Sequence, residues 1–571
     1  LDIDKDGTAI ITRVLDDATY AVRVGASAGG LEAGDHPHVF TLMGAAETLD
    51  LVVAFDDDQR GPGRALPGFV DVLEASRVSW SEFWQSGAAI DLSESTDPRA
   101  VELERRIVLS QYLTRVHGSG HLPPQETGLV TNSWQGKFHL EMHLWHAAHF
   151  AVWGRPELLE RSLTWYLTTL HEARATAARQ GYPGARWPKQ TGPDGRESPS
   201  DIGSLLAWQQ PHIIHLLELV WQASTPEHRE QLVAEYADLV TETATFMAAF
   251  AEERDSTFHL GPPIMPAQEF YDARTTTDPT FELAYWWWGL DVAQQWQIRA
   301  GKERDTAWQD VQDRLAAPLR DGDRYAAVAT REPLRRDDHP SLLMALGVVP
   351  PTPIIDPAIM LRTLHEVWEA WEWPTAWGWD FPVMAMTAAR LGEPALALDA
   401  LLRGEDKNRY TPVGHNPQIR GILPLYLPGN GSVLLAVALL AQDDGAGFDV
   451  DGWSARVEGF QPFPGGTPFD PARVRAPLEP LPEQDNATPA NRAQLTADTT
   501  IGEWLDHPVG GAVLRAFLAH AGTSAESLAP LKGVPLRQLV ALSQGSMPES
   551  AIDTLIDAAR TGFDEREDPT S

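Results

Sequence analysis

Short runs of alternating apolar and polar residues open the chain. GTAIITRVL, ATYAVRVGA and LDLVVAFDDD, separated by Gly and Asp, predict β-strands, so residues 1–95 read as a β-rich segment, a partial β-sandwich. From DPRAVELERRIVLSQYLTRVHG onward the apolar spacing turns helical and stays so as far as residue 445. Spacing and Gly/Pro breaks predict helices near 98–117, 138–153, 156–179, 201–222, 226–253, 279–300, 303–316, 338–346, 356–371, 380–392, 395–403 and 431–442. Twelve segments make six hairpins. SLLAWQQPHIIHLLELVWQ and GSVLLAVALLAQ are apolar on more than one side, the pattern of the inner of two concentric helical layers. The loops 118–136, 181–200, 256–278 and 404–430 are long and rich in Gly, Pro, Trp and polar groups, and long structured loops on a helical scaffold usually carry function. Residues 446–496 read as an extended wrap and linker, and 497–571 as a small helical module with a charged end.

The length, 571 residues, exceeds what one core organises, which agrees with a large helical body at 96–445 and smaller flanking units. A net charge of −35, from 45 basic and 80 acidic residues, argues against nucleic acid or an anionic membrane as partner, because both would be repelled. A neutral substrate fits that balance. The absence of cysteine excludes disulfides, thiolate zinc sites and cysteine nucleophiles. No apolar run reaches the length of a membrane span. The opening LDIDKDGTAI lacks a methionine and a signal-like stretch, as a processed precursor or a truncated chain would. Compartment is open between cytoplasmic and secreted, and a homodimer is compatible with the sequence.

Tryptophan is the clearest excess, at 21 residues, many beside acids or amides. Flat apolar rings stack on the C–H faces of sugars while neighbouring polar groups bind hydroxyls, so the mixture suits a carbohydrate pocket, although any single ring is more commonly helix packing. Four stretches carry the chemistry. In PPQETGLVTNSWQGKFHLEMHLWHAAHF, Trp134 and a crowd of polar groups (Glu126, Asn132, Lys137, His139, Glu141, His143, His146) precede a helix. The phrase is H-x-E-x-H rather than the zinc signature H-E-x-x-H, so a hydrogen-bonded network reaching a sugar hydroxyl is expected there, with no metal. The loop GYPGARWPKQTGPDGRESPSD offers Arg186, Trp187, Lys189, Asp194, Arg196 and Glu197, with ion pairing that shapes the loop as the plainer reading, and Gln209 follows in an apolar stretch.

The third stretch, GPPIMPAQEFYDARTTTDPTFELAYWWWGLD, sets Glu269 between a proline-rich turn and an aromatic helix. Partial desolvation there would keep a carboxyl protonated near neutral pH, as a general acid requires. The fourth, WEAWEWPTAWGWDFPVMAMTAARLGEPALALDALL, is followed by GHNPQIRGILPLYLPGNGSVLLAVALL. It carries Trp377, Asp380 and His415, and Asp380 is open between a helix cap and a base for a catalytic water.

These residues resemble the inverting glycosidases and phosphorylases with an (α/α)6 barrel behind a β-sandwich, glycoside hydrolase families 65 and 95 above all, over roughly residues 80–445 by motif order. HLEMHLWHA is similar to the Asn-x-Glu-Met-Asn-Tyr-Trp-Pro-Ala phrase of family 95, with Glu141, Met142 and Trp145 matching and His139 and His143 replacing asparagines. Glu269 of MPAQEFY takes the place of the general acid. GWDFPVMAMTAARLG is similar to a Gly-Trp-Ser segment, with Asp380 for serine, and YLPGNGS puts Pro428 where family 95 has its base aspartate. The family 95 base is therefore not carried over; Asp380 is the first choice, with Glu126, Glu141 and Glu372 following.

The resemblance implies a mainly α fold, an (α/α)6 six-hairpin toroid with an N-terminal β-sandwich-like segment and a C-terminal helical module like the tails of some bacterial glycosidases. It implies an exo-acting inverting hydrolase of α-linked glycosides that needs no cofactor, with a carbohydrate substrate as partner. Trp134, His139, Glu141, Trp187, Lys189, Gln209, Trp377 and His415 are the expected substrate contacts. A phosphorylase on the same scaffold, with Ser432 near phosphate, and a carbohydrate-binding protein that has lost catalysis are the alternatives.

Overall fold

The computed structural model describes residues 1–3, 7–15, 18–44, 47–57, 65–330, 334–465, 469, 471–475, 495–497, 499–507, 510–520, 533–537, 551–556 and 558. A four-stranded antiparallel sheet joins Asp2–Ile3, Ala9–Leu15, Ala18–Ala26 and Leu51–Asp57 in that order, beside a separate hairpin of Gly30–Ala33 with Phe40–Met43. Between Leu51–Asp57 and the short strand Ala89–Asp91 the expected strand character is broken. Phe69–Gln85 is a helix (α1), largely exposed and anchored by the buried Phe83. Its valines and aromatic rings suit a strand by propensity, and their spacing, Phe69, Val72, Ser76, Trp80 and Phe83, is what the helix follows instead.

Eleven further helices build the body: α2 (Ala100–Gly118), α3 (His143–Val152), α4 (Pro156–Arg179), α5 (His212–Ala223), α6 (Pro226–Phe250), α7 (Thr280–Arg299), α8 (Thr306–Asp313), α9 (Pro357–Ala370), α10 (Asp380–Arg390), α11 (Pro394–Leu401) and α12 (Leu427–Leu440). All twelve expected segments of the body contain helix; α12 begins at Leu427 rather than 431, and three further shifts stand out. The segment expected at 338–346 is a 3₁₀ turn, Ser341–Ala345. α5 begins only after Pro211, whose missing N–H costs nothing at a helix start, and the residues before it are turns. α3 begins at His143 because Phe138–His139 pairs with Gln190–Thr191 as a short strand.

The packing has a fixed sequence. α3 lies on α5, α5 on α7, α7 on the 3₁₀ turn, that turn on α10, α10 on α12, and α12 again on α3. Each of α2, α4, α6, α8, α9 and α11 packs on one or more of these elements. Every residue of α3 and of α12 is buried, so these helices touch protein on all sides. α12 carries no charged residue, and the close approach of α12 to α3 is set by Gly431, where a Cβ would overlap the Trp145 carbonyl oxygen.

The chain beyond α12 returns across the body. Arg456–Glu458 pairs with Ala89–Asp91, and the buried Arg390 donates to the carbonyl oxygens of Gly347 (3.0 Å) and Pro464 (2.9 Å). Residues 476–494, expected to form the linker, lie outside the described residues. Past them, Ile501–Asp506 and Gly510–His520 are helical around their own apolar cluster, which includes Ile501, Trp504, Leu514 and Leu518.

One buried acid shapes the loop that carries Glu269. Glu282, in the first turn of α7, accepts the Ala267 N–H through Oε1 at 2.7 Å, while its Oε2 is buried without a partner. Burial pushes this carboxyl up to about 7, against the backbone N–H groups that favour its charge. Gln268 donates to the carbonyls of Arg335 (3.1 Å) and Asp337 (2.7 Å), joining this loop to the next one.

Three substitutions have expected outcomes for stability. Gly431→Ala is expected to lower unfolding free energy by about 3 kcal/mol, since both colliding backbones are buried. Gly404→Ala, with open space around it, is expected to leave the urea midpoint unchanged. Glu282 has a folded-state value above its unfolded one, so its contribution is fully present below about pH 4.5 and is lost as pH rises through about 7. Glu282→Gln keeps an acceptor for the Ala267 N–H and is expected to match wild type in urea at pH 4.5 and exceed it by up to about 3 kcal/mol at pH 8.

Candidate active site

The polar residues of this region lie in the loops that lead into fully or largely buried elements, or at the first residue of one. Glu126, His139 and Glu141 precede α3, Lys189 precedes α5, Glu269 precedes α7, Asp338 and His339 precede the 3₁₀ turn, Asp380 opens α10, and Tyr426 precedes α12. Helix N-termini present free N–H groups and a partial positive charge, which favours carboxylates collected there.

Lys189 is the centre of the cluster. Its Nζ lies 2.5 Å from Glu269 Oε1 and 3.3 Å from Glu141 Oε1. Burial works against its charge, but Glu141 and Glu269 outweigh that and hold the ammonium well above its ordinary value. Burial, with Glu269 and Glu126 adding to it and Lys189 opposing, pushes Glu141 up to about 8, so this carboxyl is protonated at neutral pH. Glu126 goes the other way. Burial raises it, yet His139 (Nδ1 at 3.2 Å), the indole N–H of Trp134 and the Lys189 charge together hold it below the carboxylate range. Two neighbouring carboxyls are thus driven apart, one ionised and one not, by the donors each can reach.

A second cation lies one hydrogen bond beyond Glu269, past Asp338. His339 points Nδ1 at Asp380, 3.0 and 3.1 Å from its two oxygens, and Nε2 toward Asp338 Oδ1 at 3.5 Å. Burial opposes protonation of the ring, but Asp338 and Asp380 raise it to about 9. Burial pushes Asp338 up to about 6 against the pull of His339. The Oδ2 of Asp338 accepts the backbone N–H of Glu269 at 3.2 Å, so the two cation-centred groups touch. Around them stand Trp377, whose ring lies 5.5 Å from Tyr426 and 4.9 Å from Lys407 Nζ, and Trp379, stacked on His339 at 4.1 Å.

The expected site residues divide. Glu269, Lys189, Glu141, His139, Trp134 and Trp377 belong to this assembly or border it, and Trp134 is 40 % exposed, with its indole nitrogen on Glu126. Trp187 does not line an open pocket: it is 2 % exposed, packs edge-on against Tyr166 and donates to Thr243. Gln209 is buried too and clamps the loop by donating to the carbonyls of Trp187 and Leu206. His415 stands beside His117, near the end of α2, where burial lowers its basicity, and nothing ties it to Glu269. Asp380 has a fully buried side chain, and its Oδ2 also takes the Trp377 N–H at 2.7 Å, so the oxygen that a base must offer to water is occupied. Ser432 is inside α12, donating to the Gly429 carbonyl. The nitrogens of His143 are spent on Tyr166 and Ser162, each at 2.9 Å, and among the described residues no three His, Asp or Glu are grouped to hold a metal.

Asp338 and His339 escaped the sequence reading. Their one signal, RRDDHPSLL, is a charged stretch ending directly at an apolar turn, the same context that drew attention to Glu269.

No protein-family model and no curated protein matches this sequence. Among solved structures, the chain is similar to one described as "Putative kojibiose phosphorylase from human microbiome", at 10% identity over 75% of this chain and 68% of that one, with a TM-score of 0.54. It also aligns to a wild-type glycosidase (14% identity, 59% and 97% covered, TM-score 0.43) and to a family 78 rhamnosidase of Bacillus sp. GL1 (12% identity, 75% and 47% covered, TM-score 0.42), scores too low to carry an argument. The likeness therefore holds at the level of fold, a mainly α architecture shared with the first of these structures, and no single family is assigned.

Proposed function

We propose that this chain is a glycosidase, an exo-acting hydrolase of α-linked glycosides that works with inversion, built on an (α/α)6 barrel of α2 to α12 and the 3₁₀ turn. The succession of packed helices that returns from α12 to α3 supports the barrel, and the sequence resemblance supports the linkage and stereochemistry. The observation that carries the reading is the position of Glu269. Its side chain is 26 % exposed, the most open carboxyl of a cluster whose other acids are nearly closed to solvent.

In this mechanism Glu269 gives its proton to the glycosidic oxygen as the bond from that oxygen to the anomeric carbon breaks. Water attacks the opposite face and passes its proton to a second carboxylate. Glu141 does not suit that second role. It shares Lys189 with Glu269 so closely that their facing oxygens fall short of the roughly 6.5 Å an inverting pair needs, and it is protonated at neutral pH. Asp380 is closed off by its partners. Glu126, the acid held below its ordinary value, is assigned as base; His139 and the Trp134 indole occupy its oxygens, so the attacking water reaches it as the exposed Trp134 ring moves off.

A phosphorylase would need a cation free to meet phosphate, and Lys189 is already engaged by Glu141 and Glu269. Reducing-sugar release from α- and β-linked disaccharides, with and without phosphate, separates the readings. Phosphate-independent release that falls by about 10²- to 10⁴-fold in Glu269→Gln is expected, with much of the activity surviving on glycosyl fluorides, whose leaving group needs no proton. Release that requires phosphate identifies a phosphorylase, and sugar binding without turnover identifies a binding protein.

A further inference from the structure

Asp338 is backed by more constraints than its place in a loop demands. Its φ is 64°, in the left-handed region that costs a residue with a side chain of order 1 kcal/mol or more, and it is buried. Each of its polar groups is engaged. The N–H donates to Thr375 Oγ1 at 2.8 Å, the carbonyl accepts the Trp371 indole N–H at 2.9 Å, Oδ2 accepts the Glu269 N–H, and Oδ1 faces His339. Behind His339 stands Asp380, whose two oxygens hold its Nδ1. Strained backbone persists where surrounding contacts over-determine it, and here they converge on the main chain of the residue proposed to protonate the substrate.

Resting on the assignment of Glu269 above, we infer that Asp338 is a positioning residue for Glu269, oriented by His339, which Asp380 in turn holds in place. The carboxylate of Asp338 fixes the backbone from which the Glu269 side chain springs, and its negative charge keeps the His339 ring protonated between two acids. Asp380, placed by the sequence in a catalytic role, acts in this arrangement two residues away from the reacting atoms. The groups facing Asp338 from the surrounding elements are Glu269 on the loop before α7, His339 beside it, and Asp380 at the start of α10; Lys189 and Glu141 act through Glu269.

The test is a double-mutant cycle on an aryl glycoside, read as kcat and KM between pH 4.5 and 8, with melting temperature recorded for every variant. Asp338→Asn tolerates the left-handed conformation and retains an acceptor for the Glu269 N–H while losing the charge; Asp338→Ala loses both. Asp338→Ala is expected to lower kcat by up to about 100-fold with little change in KM, the cost of an ångström-scale misplacement. Asp338→Asn, which keeps the acceptor and lacks the charge, is expected to recover part of that rate and to stay, from pH 4.5 to 8, near the level to which the wild type is expected to fall as Asp338 takes up its proton around pH 6. In a Glu269→Gln background, Asp338→Ala is expected to cost nothing further, because the group it positions is gone. Equal slowing in both backgrounds, or folded Asp338→Asn and Asp338→Ala proteins with the wild-type rate and pH profile, would overturn the inference. A Glu269→Gln enzyme with full activity would overturn the assignment of Glu269 instead, whatever Asp338 does.

Discussion

Helices buried on all sides impose the constraint on which the rest of this structure depends. Along α3 and α12 there is no solvent-facing stripe, so a charged side chain in the middle of either helix would be stranded. α12 accordingly carries none, and the polar side chains inside α3 are histidines that burial keeps neutral. Chemistry is displaced to the helix ends, where loops can bend inward and free backbone N–H groups favour acids. The gathering of Glu126, Glu141, Glu269 and Asp338 in loops that lead into buried elements, and of Asp380 at the start of α10, follows from that displacement.

Collecting five acids in a poorly solvated place requires compensation, and two cations supply it. Lys189 serves Glu141 and Glu269, while His339 serves Asp338 and Asp380. The compensation is incomplete, since two positive charges cannot offset five negative ones. The system answers by protonation: Glu141 and Asp338 are raised, Glu126 is lowered by its own donors, and His339 is held charged. This spread of proton affinities over one small region suits acid and base catalysis, and it arises from which donors each acid reaches rather than from any single residue type.

The loops bearing these groups are tied to each other as firmly as to the helices. Gln268 spans to the carbonyls of Arg335 and Asp337, Asp338 accepts from the Glu269 backbone, and Glu282 holds Ala267 from below. Movement of the 261–278 loop would therefore drag the 335–340 segment with it. Trp371 and Thr375, which hold Asp338 from the next loop, extend the same linkage to the start of α10.

Local pattern was enough to read the helical body, because 3.6-residue spacing and Pro/Gly breaks are properties of neighbouring residues: α2, α4, α6 and α7 begin and end within a few residues of the sequence expectation. It also singled out Glu269, Lys189 and Glu141, whose polar character contrasts with the apolar runs beside them. Pattern misread Phe69–Gln85, where strand-favouring residues follow a helical period, and the 3₁₀ turn at Ser341–Ala345, too short for its period to show. It could not tell a tryptophan that borders the site, Trp377, from one sealed in the core, Trp187, since both stand in loops beside polar residues. Nor could it show that Asp380 is spent on His339, or that Asp338 touches Glu269 across 69 residues of chain. Which acids keep an open oxygen, and which are neutralised by a neighbour, depends on distances between loops far apart in sequence, and those the tertiary packing alone decides.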